Sequence, residues 1–368
     1  MISTRKIRGA VRHPLAIVFT CLIALAIAPE TAAQELDDER LSEEIEAFFD
    51  EWKTAVENQD LDAITGFYSD RFLQGGMTRG IHRLVYQAQF HLIARKRATL
   101  RVEPEVRNVR FRRDGERVIA DCDLVVLREE IWEDESRSID RIFQPIRLGR
   151  DDGNWLMIGD RTRTHCVVQV GYDGNSYMLT FIAQSAFPLF PNQAVVNGPQ
   201  INDLSLRRQR KDILGKPFVS DVTFVPRRPE PGDRYSFRIP WADRAENISY
   251  RIRGRVDVAP KMVTLTRDMH VKELPLEIEW EPVHEEISDF NCYEVHIRRA
   301  RDNRLVYMFR SIPPERSSVR FGTDERQKAA FGEPFDVFYV EVYAYDVFGN
   351  YGLTRTRIYN ELPEPVNN

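Results

Sequence analysis

Cysteine is scarce in this sequence, with 4 residues among 368. Loss of a leader that contains Cys21 would leave Cys122, Cys166 and Cys292, an odd number with at least one unpaired thiol in an oxidising compartment. No cysteine spacing is typical of a zinc site. Cys122 and Cys166 fall in neighbouring predicted strands and could form a disulfide. Burial of the thiols as small apolar side chains is the favoured alternative.

Sequence motifs for several enzyme classes are also absent. The chain has no glycine-rich phosphate loop and no Gly-x-Ser-x-Gly turn, and its 7 histidines include no His-x-x-x-His pair. These absences remove the strongest sequence evidence for a nucleotide hydrolase, a serine hydrolase or a zinc protease. We therefore expect no metal and no cofactor.

An excess of basic residues is likewise missing. The formal net charge is −5, and it becomes −8 without residues 1–33, which hold four basic residues and one acid. An acidic protein of this kind has no electrostatic reason to bind nucleic acid. Nucleic acid is therefore not an expected partner.

The one long apolar run is near the start, at Leu15–Ala28. Four basic residues precede it, and the small residues Thr31, Ala32 and Ala33 follow. This order is typical of a secretory signal peptide over residues 1–33, and a run of 14 residues is short for a retained membrane span. We expect an exported protein, periplasmic or extracellular, with no stable membrane span after cleavage.

The apolar pattern then predicts helices. Residues 34–41 are expected to be a flexible lead-in, and Ser42 to cap the first helix. Asp60 is predicted to cap a second helix and Thr78 a third. The expected buried face of the third helix comprises Ile81, Leu84, Val85, Ala88 and Leu92.

From Thr99 the pattern has period two, which predicts strands at about 99–112, 116–129, 136–149 and 154–161. Helices followed by a curved antiparallel sheet bury one face of that sheet. Glu44–Tyr68, the third helix and the segment `DGNWLMIGD` resemble the nuclear transport factor 2-like superfamily. The resemblance implies an α+β cone over residues 42–163 that can hold a pocket, in a superfamily with ketosteroid isomerases, polyketide cyclases and catalytically silent binding domains.

Residues 164–265 are predicted to be a β-rich intermediate region, with an immunoglobulin-like fold as one option. It begins with a hairpin that turns at Asp173-Gly174 and that either extends the first sheet or starts the next module. Further strands are expected at Val222–Val225, Arg234–Ile239 and Ile248–Val256.

The last module, residues 266–362, is followed by a tail at 363–368. Three alternating rows predict inward-facing residues: Leu276, Ile278 and Trp280; Tyr293, Val295 and Ile297; Phe338, Val340, Val342 and Ala344. This pattern resembles fibronectin type III, with Phe338 where that family has a tyrosine. The fold class is thus an α+β cone followed by antiparallel β-sandwich modules.

Asp121 and Asp123 are weak candidates for acid/base catalysis. Both lie on one face of the strand 116–129, where burial of two carboxylates would raise the pKa of at least one of them. The more frequent arrangement is a solvated sheet face on which they pair with arginines such as Arg110, Arg112 or Arg141.

Tyr68 and Tyr86 are the candidate pocket-binding residues, because they come from helices that would cover a cone. His91 is a weak candidate for a general base, with a surface position as the more frequent alternative. Tyr343, Tyr345, Phe348 and Tyr351 either form an exposed contact patch or pack within the last module.

The favoured function is an exported, non-enzymatic binding or scaffolding protein, with a small apolar ligand or an envelope protein as partner. The alternative is a small-molecule isomerase, cyclase or hydrolase that uses the cone pocket. A third hypothesis is envelope assembly through addition of a strand to a sheet edge.

Overall fold

The structure is a computed structural model that describes residues 37–115, 117–133, 137–187, 189–208, 218–331 and 336–361. The predicted signal peptide and the tail lie outside the described residues. The chain divides into two units, residues 1–50 and 51–368. In the first unit, the described residues 37–50 are all helical.

This helix, α1, covers residues 37–57 and starts before the predicted Ser42 cap. The Ser42 hydroxyl donates to the carbonyl oxygen of Asp38 at 2.8 Å, as a serine inside a helix does. The predicted cap is therefore wrong. Residues 37–41, expected to be a flexible lead-in, form the start of the helix instead.

Two further helices begin at the predicted caps. Asp60 Oδ1 accepts hydrogen bonds from the amides of Asp62 and Ala63, at 3.1 and 2.9 Å. Thr78 Oγ1 accepts from the amide of Ile81 at 3.4 Å. The helices are α2, Leu61–Gly66, and α3, Arg79–Lys96, and a small hairpin of β1, Leu73–Gln74, and β2, Met77–Thr78, lies between them. Local capping chemistry thus determined both helix starts.

A four-stranded antiparallel sheet follows, in the order β3-β4-β5-β6. Its strands are Thr99–Asp114, Arg117–Ile131, Arg137–Asp151 and Asn154–Met157. All four predicted strands are present. We refer to residues 51–160 as the α+β domain.

The predicted hairpin after residue 163 does not extend this sheet. It forms β7 and β8, which belong to a second sheet of twelve strands. The intermediate module, residues 164–255, contributes β7 His165–Tyr172, β8 Tyr177–Gln184, β9 Gln193–Gly198, β10 Ile201–Arg208, β11 Phe218–Val225, β12 Arg234–Pro240 and β13 Ala245–Arg251. The last strand ends at Arg251, before the predicted end at Val256.

The C-terminal module, residues 256–361, adds strands to the same sheet and forms a separate sheet of three strands. Its elements are β14 Lys261–Met262, β15 Met269–Val271, β16 Leu276–Glu281, β17 Phe290–Arg299, β18 Arg304–Ile312, β19 Ser318–Phe321, α4 Glu325–Ala330, β20 Val337–Asp346 and β21 Tyr351–Asn360.

The two modules are connected through β21. This strand pairs with β20 antiparallel, but with β7 and β15 in parallel. The large sheet is therefore mixed, and the expectation of purely antiparallel modules is wrong at these two pairings. Parallel pairing joins segments far apart in sequence, which local patterns do not reveal.

Each module has its own hydrophobic core. All three predicted rows of the last module are buried, with Trp280 1% exposed and Tyr293 and Phe338 fully buried. Val256 and Leu265 belong to this core as well. The C-terminal module consequently begins before the expected boundary at residue 266. The core of the intermediate module is separate and includes Phe181 and Tyr235.

Candidate functional site

The two faces of the four-stranded sheet have different neighbours. Lys96 at the end of α3 donates to Glu130 at 3.1 Å, which places one face of β4 toward the helices. Asp121, Asp123 and Val125 lie on the opposite face of β4, because successive residues of a strand point to opposite sides of the sheet. Arg141, which lies on the same face as Asp123, donates to the carbonyl oxygen of Phe290 in the C-terminal module at 3.1 Å. We call this second face the docking face.

Asp121 and Asp123 therefore lie outside the cone. Asp121 accepts from Arg147 Nε at 2.6 Å and forms an ion pair with Arg112 at 3.5 Å. Asp123 accepts from Asn108 at 3.0 Å and forms an ion pair with Arg253 of the intermediate module. Arg112 was one of the expected partners, whereas Arg253 comes from another module.

Inside the cone, Tyr68 and Tyr86 do come together. Their hydroxyls are near enough to affect each other's pKa, and Tyr68 is buried whereas Tyr86 keeps some exposed surface. Burial raises the pKa of both hydroxyls above the ordinary tyrosine value. The His82 ring stacks on Tyr68 with 5.0 Å between centroids. Both tyrosines are thus neutral at physiological pH and can donate one hydrogen bond each.

His91 is exposed on α3 and does not join the pair of tyrosines. The predicted buried face of this helix is also wrong. Leu84 is 64% and Leu92 52% exposed, whereas Phe90 and Ile93 are buried. The inner face of α3 carries the polar residues His82 and Tyr86. A prediction based on apolar residues alone therefore chose the wrong side of the helix.

Near Asp121 and Asp123, a cleft of about 540 Å³ lies between the α+β domain and the other two modules. The α+β domain supplies Arg110, Arg147 and both aspartates. The intermediate module supplies Arg251 and adjoining residues, and Phe348 comes from the C-terminal module. No sequence pattern indicates this site, because its residues come from three modules that are far apart along the chain.

Cys122 also lines the cleft. It is 4% exposed, and burial raises the pKa of its thiol to about 12, with Asp123 and Asp121 adding to the effect. The thiol is consequently protonated and a poor nucleophile. Cys122, Cys166 and Cys292 are all free and buried, so the considered disulfide between Cys122 and Cys166 is not formed.

The docking face is attached to the C-terminal module by specific polar contacts. Arg107 Nη1 donates to Asp289 at 2.8 Å, while its other nitrogens contact Glu105. The hydrogen bonds from Arg107 lower the pKa of the Glu105 carboxyl. The side-chain amide of Asn291 accepts from the Arg141 amide at 3.0 Å and donates to its carbonyl oxygen at 3.1 Å. Asn291 thus replaces a strand partner for Arg141.

We expect Asn291→Ala to lower the free energy of unfolding by about 1–3 kcal/mol, because both backbone groups of Arg141 lose their partner. Urea denaturation measures this loss. Asn247→Ala is the matched control, since Asn247 is exposed. Equal midpoints for the two variants would contradict the assigned role of Asn291.

The aromatic residues of the last module are packed rather than displayed. Tyr343 and Tyr351 are 9% and 8% exposed, and they belong to a small cluster with Met178 and Leu353. Tyr345 stacks on Tyr343 at 5.6 Å. An exposed contact patch of these residues is therefore not supported.

The described part of the chain has neither a candidate membrane-spanning helix nor a candidate metal site. None of its helices combines the length and apolar character that a membrane span requires. Nor do three or more His, Cys, Asp or Glu side chains come together there in an arrangement that could hold a metal ion.

Comparison with known proteins identifies no family model and no curated protein that matches the chain. Solved structures similar to part of it include Aln2 from a Streptomyces species, at 14% identity over 33% of this chain and 87% of that one, with a TM-score of 0.28. An NTF2-like protein of unknown function from Pseudomonas putida has 15% identity over 33% and 84%, with a TM-score of 0.24.

A third is an NTF2-like protein with a cystatin-like fold from Novosphingobium aromaticivorans, at 13% identity over 36% and 86% of the two chains, with a TM-score of 0.26. A structure of the Down syndrome cell adhesion molecule, containing eight Ig domains, is similar over 72% of this chain and 35% of that one, at 14% identity and a TM-score of 0.16.

Proposed function

We propose that this is an exported, non-enzymatic binding or scaffolding protein, with an N-terminal domain of the nuclear transport factor 2-like superfamily and a fibronectin type III-like module at the C-terminus. The proposal is carried by one observation: the docking face of the four-stranded sheet is in contact with other modules of the same chain. This face bears both candidate carboxylates, and its contacts with two other modules occupy it. The sheet thus supports an assembly of modules.

The chemistry of the candidate catalytic groups favours binding over turnover. Asp121 and Asp123 are each held in an ion pair with an arginine. The Cys122 thiol is protonated at neutral pH. A general acid or base that is held in an ion pair is poorly suited to exchange protons with a substrate.

The enzyme alternative is favoured by one cluster, the neighbouring side chains of Tyr68 and Tyr86 beside His82. Neutral hydroxyls in an apolar cone can donate to a developing oxyanion. An isomerase, cyclase or hydrolase in the cone would use these residues rather than Asp121, Asp123 or His91.

The proposed partner of the cone is a small apolar ligand, and an envelope protein is the proposed partner of the β modules. Export rests on the leader at residues 1–33, with a mature protein that starts at Gln34. The acidic net charge argues against nucleic acid as a partner.

Native mass spectrometry of the exported protein tests this proposal. We expect a mature chain that begins at Gln34 and carries a non-covalent component, whose mass is unchanged after long incubation with the protein. Conversion of that component to a product, abolished in Tyr68→Phe but not in Tyr172→Phe, would establish the enzyme alternative instead. The Tyr172 hydroxyl, which donates to Gly174, is outside the cone.

A further inference from the structure

We propose that the cleft between the modules is a second binding site, for a small organic anion with an apolar body and a carboxylate or phosphate group. The charged residues that the four-stranded sheet supplies to the site, Arg110, Arg147 and both aspartates, lie on the docking face, opposite the cone interior. The proposal therefore holds whether or not the cone binds a ligand.

Two arginines of the cleft have no acidic partner. Among the described residues, no carboxylate forms an ion pair with Arg110 or Arg251, although both line the cleft. Arg110 is the cross-strand neighbour of Asp121, but that carboxylate pairs with Arg147 and Arg112. A guanidinium remains charged at any physiological pH, so both are available to an anion.

The acidic residues of the cleft are already engaged. Asp121 and Asp123 have the arginine partners described above. Asp160 Oδ1 accepts from the amide and the hydroxyl of Thr162, both at 2.8 Å. The cleft is lined by four arginines and three aspartates, which leaves a positive excess of one charge. A ligand with one or two negative charges fits this balance, whereas a polyanion would be repelled by the aspartates.

The neighbourhood of Arg251 adds a reason for an anion. Arg251 lies directly opposite Arg234 in the pairing of β13 with β12. Like charges in this position repel each other, and a bound anion would reduce the repulsion. The loop beside Arg251 is fixed, since the amide of Gly232 donates to the carbonyl oxygen of Ile252 at 2.8 Å.

The walls of the cleft are suited to an apolar body. Pro145, Pro231 and Phe348 contribute apolar surface. The Phe348 ring packs on Phe143 at 4.9 Å between centroids, and the Arg253 guanidinium lies 4.7 Å from the centre of the same Phe143 ring. These contacts hold the wall in place before a ligand arrives. A volume of about 540 Å³ is in the usual range for small-molecule sites.

Isothermal titration calorimetry on the full exported chain tests the site with phenyl phosphate, benzoate and the uncharged benzyl alcohol. We expect one of the two anions to bind and benzyl alcohol to bind at least about 10-fold more weakly, because charge-assisted hydrogen bonds are the strong ones. The comparison of phenyl phosphate with benzoate distinguishes phosphate from carboxylate. Raising the salt concentration should weaken binding.

Arg110→Gln and Arg251→Gln should each weaken anion binding by roughly 10-fold, and the double variant by on the order of 100-fold. Arg101→Gln is the matched control, because Arg101 is exposed on β3 and outside the cleft. Both cleft arginines are exposed, so the variants should fold, which circular dichroism checks.

Three results would overturn the proposal. The first is that neither anion gives a heat of binding at millimolar concentration. The second is that benzyl alcohol binds as tightly as the anions. The third is anion binding that the Arg110 and Arg251 variants leave unchanged. These results leave the native mass spectrometry of a component in the cone unaffected. Failure of the cleft proposal can therefore be told apart from failure of the proposed function.

Discussion

Replacement of Trp280 by alanine is expected to lower the free energy of unfolding by about 3–5 kcal/mol, the range for large aromatic residues removed from a core. Trp280 is 1% exposed, and its ring packs against Tyr293 with 5.4 Å between centroids. The Tyr293 hydroxyl in turn accepts from the amides of Val283 and His284, at 2.7 and 2.9 Å. The cavity would therefore also loosen the turn after β16. Urea denaturation followed by near-ultraviolet circular dichroism measures the effect.

Trp280→Phe is the control for this experiment. No acceptor among the described residues takes the buried indole N–H of Trp280, so phenylalanine removes an unsatisfied donor while it keeps an aromatic ring. The loss should be about 1 kcal/mol or less, because the two effects oppose each other. If Trp280→Ala had the same unfolding midpoint as the wild-type protein, Trp280 would not be an important core residue of the module.

The second large effect is expected at Glu341, whose side chain is fully buried. Its carboxylate accepts from Arg298 Nε at 2.9 Å, from Arg355 Nε at 2.7 Å and from the Tyr343 hydroxyl at 2.9 Å. Glu341→Ala leaves two guanidinium groups without their shared partner. We expect a loss of about 3 kcal/mol, at the lower end for a broken buried pair, because the Arg355 side chain is 48% exposed and can turn to solvent.

Glu277→Ala is the matched control for Glu341, since Glu277 is exposed on β16 of the same module. A surface substitution of this kind should change the stability by less than about 0.5 kcal/mol. Thermal and urea unfolding of both variants supply the comparison. Similar losses in the two variants would mean that the buried carboxylate adds nothing to stability.

Features set by neighbouring residues could be predicted from the sequence. The side chains of Asp60 and Thr78 cap helices because the amides they accept from are two or three positions away. The alternating rows around Trp280 and Tyr293 are buried because a strand places every second residue on one face. Both rules need only a short window of sequence.

Features that depend on another module could not be predicted in this way. Val125 is 2% exposed on the docking face because the face is attached to other modules. Asp123 forms its ion pair with Arg253, and the two residues are 130 positions apart in the sequence. The cleft likewise exists only because modules that are far apart in the sequence come into contact. On α3, hydrophobicity favoured the side of Leu84, but the aromatic bodies of Tyr86 and Phe90 determined the buried side.

The position of β21 has a consequence for biosynthesis. It is made long after β7, yet it takes an interior place in the twelve-stranded sheet, between β20 on one side and β7 and β15 on the other. The pairing of β7 with β21 cannot form until everything between these two strands has been synthesised, and pairing of strands far apart in sequence slows folding. Until then, the exposed borders of β7 and β20 need protection from other chains.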